Sequence, residues 1–446
     1  MAPMNITEVP TKEALISPKH ETMHQLDPKS KFDIFRRLVP LVYEQNVIHL
    51  NAAFMPPSNL IVRDAIDQFC DRGLHHPSPK VQWKKDVEET RELVAAYLKT
   101  TTSSIAFTRD TTEAMGYFMH SLEFQPGDNV VILDCEHPNQ AYGWLSLRRR
   151  GLEVRQVPTS QTKGSEAATA ATAATFAPYV DDRTRAIGLS SIMFHNGQWN
   201  DIADVAATFK PRGIHILADL TQQVGFTDLD IHKLGVTAAA FSLHKGFNCP
   251  TGIAVFYVSE EFLSENDPVP PIVSYASIGT PSEDFQVSAE PISFHPTARR
   301  YEHANMSLIG AVAAKSFLRF HLDIMDASDI QEHLYRLGDT LRRGCHRLGI
   351  EILGPVDHLE HAPHLYTLKL FGSQWAEHFQ ANNVIVSTFR WGVRVSFGFY
   401  NNTEDVMKFL DVLERGFELG ISQAKQSSGA SQWISDDSRN ITVGAF

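Results

Sequence analysis

Along the middle of the chain, short and nearly continuous apolar runs alternate with longer stretches in which apolar and polar residues mix. The runs predict strands over 104–108, 129–133, 153–157, 186–190, 214–219, 239–242 and 253–258, and helical stretches separate the early ones. A strand that is apolar on both sides is covered on both faces, so the pattern predicts an α/β fold with a doubly wound, mostly parallel sheet. Upstream, Trp83, Val87, Thr90, Val94 and Tyr97 follow the three-and-four spacing of a helix face. A helical pattern over 32–43 and a short strand over 47–50 come before them and predict a docked N-terminal arm.

Near Arg299 the pattern changes. Helices are predicted over 308–320 and 330–348, followed by short strands over 366–370, 384–388 and 393–397. The last helix starts at Asn402 or Thr403, with Glu404 and Asp405 in its first turn and Val406, Leu410, Leu413 and Phe417 on its apolar face. This is the pattern of a smaller α+β C-terminal domain. Between strands, the Ala- and Thr-rich stretch 166–176 predicts a helix ending before Pro178, and the Pro- and Ser-rich stretch 264–296 predicts an irregular excursion. The resulting division is an N-terminal arm over 1–45, a large domain over 46–298, a small domain over 299–421 and a loose tail over 422–446.

The length of 446 residues and the 43% apolar content suit two or three domains, or one large α/β unit with a smaller partner. A formal charge of −12, with no basic run longer than Arg148-Arg149-Arg150, argues against a nucleic-acid footprint. No stretch approaches the roughly 18 apolar residues of a membrane span, and Met1 to Gln25 lack the apolar segment of a signal sequence. Cys70, Cys135, Cys249 and Cys345 form no CxxC pair. A soluble cytoplasmic protein with reduced thiols and no membrane partner is therefore expected. Dinucleotide, P-loop, GxSxG and HExxH signatures are absent. His358, His361 and His364 recur around Glu360, but Pro363 interrupts any helix there and no second cluster accompanies them, so no metal is expected.

Five segments remain where predicted strands run into loops or helices, the place where open α/β sheets hold ligands. Thr111 and Thr112 open a helix whose free N–H groups suit a phosphate, although they also suit an ordinary helix start. His137 follows an apolar strand in Glu136-His137-Pro138, where a lone histidine is more often a satisfied structural residue than a functional one. Asp219 closes another strand in Asp219-Leu220-Thr221-Gln222 and needs a cation, several donors or a turn to cap. Lys245 ends Ser242-Leu243-His244-Lys245, either reaching solvent or carrying a carbonyl as a Schiff base. Arg394 lies inside the apolar strand Val393-Arg394-Val395 and wants a carboxylate, from a substrate or from a neighbouring side chain.

In this order and together, the segments resemble the class V aminotransferase family of fold-type I pyridoxal-phosphate (PLP) enzymes, which includes cysteine desulfurases, isopenicillin N epimerase and kynureninase. The resemblance spans about 47–413 and is most specific in Phe241-Ser242-Leu243-His244-Lys245 with Pro250-Thr251-Gly252. It implies a fold-type I PLP-dependent transferase fold, a large domain with a mostly parallel sheet plus a smaller α+β C-terminal domain. It also implies that Lys245 carries the cofactor, pyridoxal 5′-phosphate, as a Schiff base and that Thr111, Thr112, Ser242 and His244 surround the phosphate. By the same resemblance Asp219 pairs with the pyridine nitrogen, Gln222 touches the ring oxygen, His137 stacks on the ring and Arg394 grips the substrate carboxylate. Arg300-Tyr301-Glu302 resembles the family's Arg-Phe-Glu, and Asn305 stands where the family has a threonine that reaches the other subunit's phosphate.

The resemblance thus implies a homodimer acting on a small-molecule amino acid, with Lys245, Asp219 and His137 catalytic. The chemistry implied is β-elimination, epimerisation or transamination in specialised amino-acid metabolism, with His137, Tyr400 and His195 as candidates for choosing among them. The chain reads Met193-Phe194-His195-Asn196-Gly197 where desulfurases have a Ser-Asn pair, and no cysteine follows Cys345. Both departures argue against a cysteine desulfurase. The alternative from another class is a non-catalytic dimer that keeps the fold as an interaction module.

Overall fold

A computed structural model of the chain describes residues 30–159, 170–280 and 291–423. Its centre is a seven-stranded sheet in the order Ile105–Thr108, Ala254–Val258, Ala238–Ser242, His215–Asp219, Thr184–Ser190, Asn129–Leu133, Glu153–Val157. The last five pair in parallel, and Ala254–Val258 runs antiparallel to both of its neighbours. That reversal follows from the connection: residues 243–253 contain no helix, and a return without a crossover can only lay the next strand antiparallel.

The apolar runs are buried as their sequence requires. Val130, Val131, Ile132 and Leu133 have no exposed surface, and Ala186, Ile187 and Leu189 match them in the next strand. Each Val, Leu or Ile buried in this way contributes about 1.5–3 kcal/mol. Helices Thr111–Ser121 and Pro138–Ser146 cover one face, and Pro79–Leu98 buries Val87, Thr90, Val94 and Tyr97 on the predicted stripe. Helix Leu308–Phe320 packs against Pro79–Leu98 and Leu60–His75.

A second sheet is antiparallel, in the order Ser387–Phe389, Gly392–Ser396, Leu365–Leu368, Ile352–Leu353, beside the paired helices Ala327–Arg347 and Thr403–Glu418. The early segment ties into this region. Ile48–His49 pairs in parallel with Val384–Ile385, Asn51 bridges Ser396, and Arg36 holds Asp405 with bonds of 2.6 and 3.1 Å. A buried ion pair pins the edge of the large sheet. Arg91 donates to both carboxylate oxygens of Glu302 at 2.7 and 3.1 Å and to the Ile105 carbonyl at 2.8 Å, while Glu302 also accepts from the Phe107 N–H at 2.8 Å.

Several expectations need correction. The pattern over 32–43 is not one helix: Lys31–Phe35 is followed by a tighter turn, and Pro40, which has no N–H and a ring that clashes with the preceding turn, starts a new one. Within the Ala- and Thr-rich stretch only Ala173–Phe176 is helical, started by a reciprocal cap between Thr172 and Thr175, and 166–169 lie outside the described residues. The strand expected over 384–388 is two, Val384–Ile385 and Ser387–Phe389, which join different sheets. Helix Leu60–His75 was not anticipated, although Asn59 caps it by accepting from the Val62 N–H at 3.0 Å. The excursion over 264–296 begins with the end of helix Glu260–Asn266 and holds one short turn at Tyr275–Ser277, and 281–290 lie outside the described residues. So does nearly all of the tail. Among the described residues no helix is long and apolar enough to cross a membrane.

Candidate active site

Parallel strands aim their C-terminal ends at one edge of the sheet, and the residues that leave those ends meet in a cavity of about 290 Å³. Strand Ile105–Thr108 leads to Thr111 and Thr112, Asn129–Leu133 to His137, Thr184–Ser190 to Ile192 and Phe194, His215–Asp219 to Thr221 and Gln222, and Ala238–Ser242 to His244 and Lys245. Arg394 reaches the same cavity from the second sheet.

One corner is built from hydroxyls. Thr111 Oγ1 shares hydrogen bonds with Ser242 Oγ at 2.6 Å and Thr221 Oγ1 at 3.1 Å, at the start of helix Thr111–Ser121. The Asp110 side chain takes the Glu113 N–H at 2.8 Å, while Thr111 and Thr112, whose first-turn N–H groups have no partner within the helix, line the cavity. Hydroxyls, free N–H groups and a positive helix end together suit a phosphate.

The floor carries a buried carboxylate and an amine. Asp219 is buried and accepts the Thr221 N–H at 2.9 Å. Burial, reinforced by the Arg394 charge and opposed by Asp219, pulls the Lys245 amine down to about 8. His244 is pulled down to about 4 by burial and by the Lys245 charge. Gln222 donates to the Ala53 carbonyl at 3.0 Å, and its own Oε1 is buried without a hydrogen-bond partner among the described residues.

His137 caps helix Pro138–Ser146 and lines the same cavity. Its Nδ1 accepts the Asn139 N–H at 3.2 Å, and its ring meets Phe194 edge-on at 5.1 Å. Burial lowers its pKa, Asp219 opposes this, and Lys245 and Arg394 add to it, as expected of groups that share one small space. Glu136, next in the chain, is buried and accepts from the Ser190 N–H at 2.9 Å, Ser190 Oγ at 2.6 Å and Gln140 at 3.0 Å. These bonds fix the turn that presents His137. Burial and the Asp219 charge still raise the Glu136 carboxyl to about 7.

Arg394 is 2% exposed and has no carboxylate partner among the described residues. Its Nη1 donates to the Phe194 carbonyl at 2.8 Å, Nη2 approaches Ser387 Oγ at 3.4 Å, Nε has no partner, and the Phe389 ring lies 4.8 Å from Cζ. Burial alone pulls its pKa down to about 9. A buried guanidinium left in this state attracts an anion.

The cavity thus gathers Thr111, Thr112, His137, Asp219, Gln222, Ser242, His244, Lys245 and Arg394. Asn305 stands apart, exposed beside Lys80 at 2.9 Å. Two other candidates do not line the cavity. Tyr400 is fully buried with its hydroxyl 3.0 Å from His49 Nδ1, and His195 is turned against Trp391 with ring centroids 5.1 Å apart. The histidines of 358–364 occupy three separate settings: His358 lies by Tyr335, His361 on the Tyr366 ring and His364 flat on Phe226. Sequence reasoning missed Ala53, Phe54, Asn139, Ile192, Phe194 and Phe389. Most are apolar residues on loops and resemble core residues in the sequence. Glu136 was within reach as the residue before His137.

The sequence profile described as aminotransferase class-V matches residues 68–409. The chain belongs to the class V aminotransferase family. It is 44% identical to an uncharacterized protein of Schizosaccharomyces pombe over 88% of this chain and 89% of the relative. An uncharacterized aminotransferase of the same yeast is 43% identical over 87% of this chain and 96% of the relative. A probable cysteine desulfurase of Methanothermobacter thermautotrophicus is 28% identical over 72% and 77%. In fold, this class V enzyme is similar to the apo cysteine desulfurase of Thermococcus onnurineus NA1, with a TM-score of 0.74 at 21% identity over 88% of this chain and 99% of that one. The cystine C–S lyase C-DES gives 0.74 at 20% identity over 84% and 98%.

The cofactor of the family is pyridoxal 5′-phosphate, and the residues present fit it. The hydroxyl corner suits its phosphate, buried Asp219 suits a protonated pyridine, and Lys245 is an amine held partly neutral where an aldehyde would need one.

Proposed function

We propose that this class V enzyme acts on an α-amino acid held through its carboxylate by Arg394, with Lys245 as the lysine that carries the cofactor and moves the substrate proton. The observation that supports this best is the pairing of a buried, carboxylate-free Arg394 with a lowered Lys245 amine in one cavity. When bound, pyridoxal phosphate supplies an aldehyde to join the substrate amine and a ring that takes up the electrons left when an α-bond breaks. Thr111, Thr112, Ser242 and His244 would hold its phosphate, and His137 would cover its ring. Gln222 would serve the ring oxygen.

Asp219 would hold a proton at the pyridine nitrogen. Arg394 fixes the carboxylate by a two-pronged grip and so orients the α-carbon. The Lys245 amine, lowered by burial and the Arg394 charge, would take the α-proton and hold it for return to the substrate. A persulfide-forming desulfurase is disfavoured because none of the four cysteines lines the cavity, and burial pushes both Cys135 and Cys345 up to about 12.

Borohydride treatment of the holoenzyme should fix the cofactor to the Lys245 peptide, and Lys245→Ala should leave no reducible cofactor and no turnover. Fixation at another lysine would sink the assignment. The exposed position of Asn305, away from its own cavity, supports a homodimer in which it serves the second copy's site. Sedimentation of active enzyme as a monomer would contradict that part.

A further inference from the structure

Two kinds of residue line the cavity. Strand-end hydroxyls, Asp219, Lys245, His137 and Gln222 are polar. Apart from Met115, on the helix that carries Thr111, the apolar ones are Ala53, Phe54, Ile192, Phe194 and Phe389, and Arg394 touches them through the Phe194 carbonyl and the Phe389 ring. These apolar groups come from three separate parts of the chain. Asn51 and Ala53 lock the first part to the second sheet, through the Asn51–Ser387 bond at 2.6 Å and the Ala53 N–H to Ser396 Oγ at 2.8 Å. Arg394 itself holds the second by its bond to the Phe194 carbonyl. The third, Phe389, lies on the strand paired with that of Arg394.

Phe194 is the hub of the wall. Its ring meets those of His137 at 5.1 Å, Trp391 at 6.2 Å and Phe389 at 6.5 Å, all edge-on. Phe54, Phe194 and Phe389 are only half-buried, so each leaves apolar surface open to the cavity. Such surface gains most when an apolar group covers it.

Among the described residues that line the cavity, the charged group touching this apolar surface is Arg394. Asp110, the other acidic cavity residue besides Asp219, is at the hydroxyl corner and already caps a helix. Arg390 is exposed and stacked 4.4 Å from the Trp391 ring, outside the lining. With Arg394 committed to the α-carboxylate, a second carboxylate or an ammonium on the substrate would be placed against phenylalanines without a counter-ion, which is costly.

We propose that the substrate's side chain is uncharged and apolar, and that Phe54, Phe194 and Phe389 select it. This rests on the reading of the cavity as an amino-acid site. Holoenzyme titrated with single amino acids, following its visible absorption, gives an apparent dissociation constant for each. Phenylalanine, leucine and methionine should bind about tenfold or more tightly than alanine, aspartate or lysine. In Phe194→Ala and Phe389→Ala the phenylalanine-to-alanine affinity ratio should fall to about threefold or less, with Phe194→Leu between. Each variant is first checked for the wild-type absorption band, which establishes folding and cofactor binding, and Phe54→Ala supplies an independent third reading of the ratio.

Aspartate or lysine binding as tightly as phenylalanine would overturn the proposal, as would a ratio unmoved in all the variants. A holoenzyme whose spectrum responds to charged amino acids alone refutes this inference and leaves the amino-acid reading standing. One that responds to none refutes both.

Discussion

Two arginines of this molecule are equally buried and differently kept. Arg91 is 1% exposed and Arg394 is 2% exposed. Burial works against the charge of Arg91, but Glu302 and Glu88 outweigh it and hold the guanidinium above its ordinary value. At Arg394 nothing outweighs burial, and the value falls to about 9. Arg91 sits where helix, sheet edge and the turn at Ala298–Tyr301 meet, and its bonds are all spent on the fold. Arg394 spends one good bond on a carbonyl and leaves Nε free beside the cavity. A buried cation that the protein has paired is structural. One that it has left open is waiting for an anion from outside.

Stability separates the two arginines most. Arg91→Met strands the buried Glu302 carboxylate and should cost about 3–5 kcal/mol, read as a lower midpoint in urea. Arg394→Met removes a buried charge that has no carboxylate partner among the described residues, at the loss of one bond to the Phe194 carbonyl, and should leave the midpoint nearly unchanged or raise it. Equal losses in the two variants would mean that Arg394 is structural as well.

A smaller effect concerns the neighbour of Arg394. Because burial and the Arg394 charge lower the Lys245 amine to about 8, its neutral form gains population as pH rises through that value. Capture of pyridoxal phosphate by the apoenzyme, which needs the neutral amine, should accelerate roughly tenfold per pH unit below 8 and level off above it. In Arg394→Met the levelling point should move upward, since a nearby positive charge is gone. A profile still rising at pH 10 in the wild type would contradict the lowered value. The linked effect on the apoenzyme has a definite sign: the unfolded lysine keeps its proton up to its ordinary value of 10.5, so this group adds stability as pH rises from about 8 to 10.5.

Much of the fold was legible because its strands are buried on both faces and therefore spelled as unbroken apolar runs. Asn129–Leu133 and Glu153–Val157 agree with the reading to the residue. The helix over 32–43 failed because periodicity ignores what Pro40 does to a backbone, and the strand over 384–388 failed because one apolar run served two sheets. The polar lining of the cavity was legible for a local reason: Thr111, Asp219 and Lys245 are polar residues placed at the ends of apolar strands, where they stand out. The apolar lining was not. Phe54, Phe194 and Phe389 look like core residues in any window of sequence, and only the tertiary fold turns them toward a shared space. The same blindness promoted Tyr400 and His195, polar residues that the fold uses elsewhere.

On this reading Arg394 is open because a substrate carboxylate closes it. The direct measurement compares an amino acid with its decarboxylated amine, phenylalanine against phenethylamine, by spectral titration of wild-type and Arg394→Met holoenzyme. Wild type should favour the amino acid by about 1.5–3 kcal/mol, the worth of a charged hydrogen bond, and Arg394→Met should lose that preference. A wild-type enzyme that binds the two alike, or a variant that still prefers the amino acid by the full margin, would contradict it.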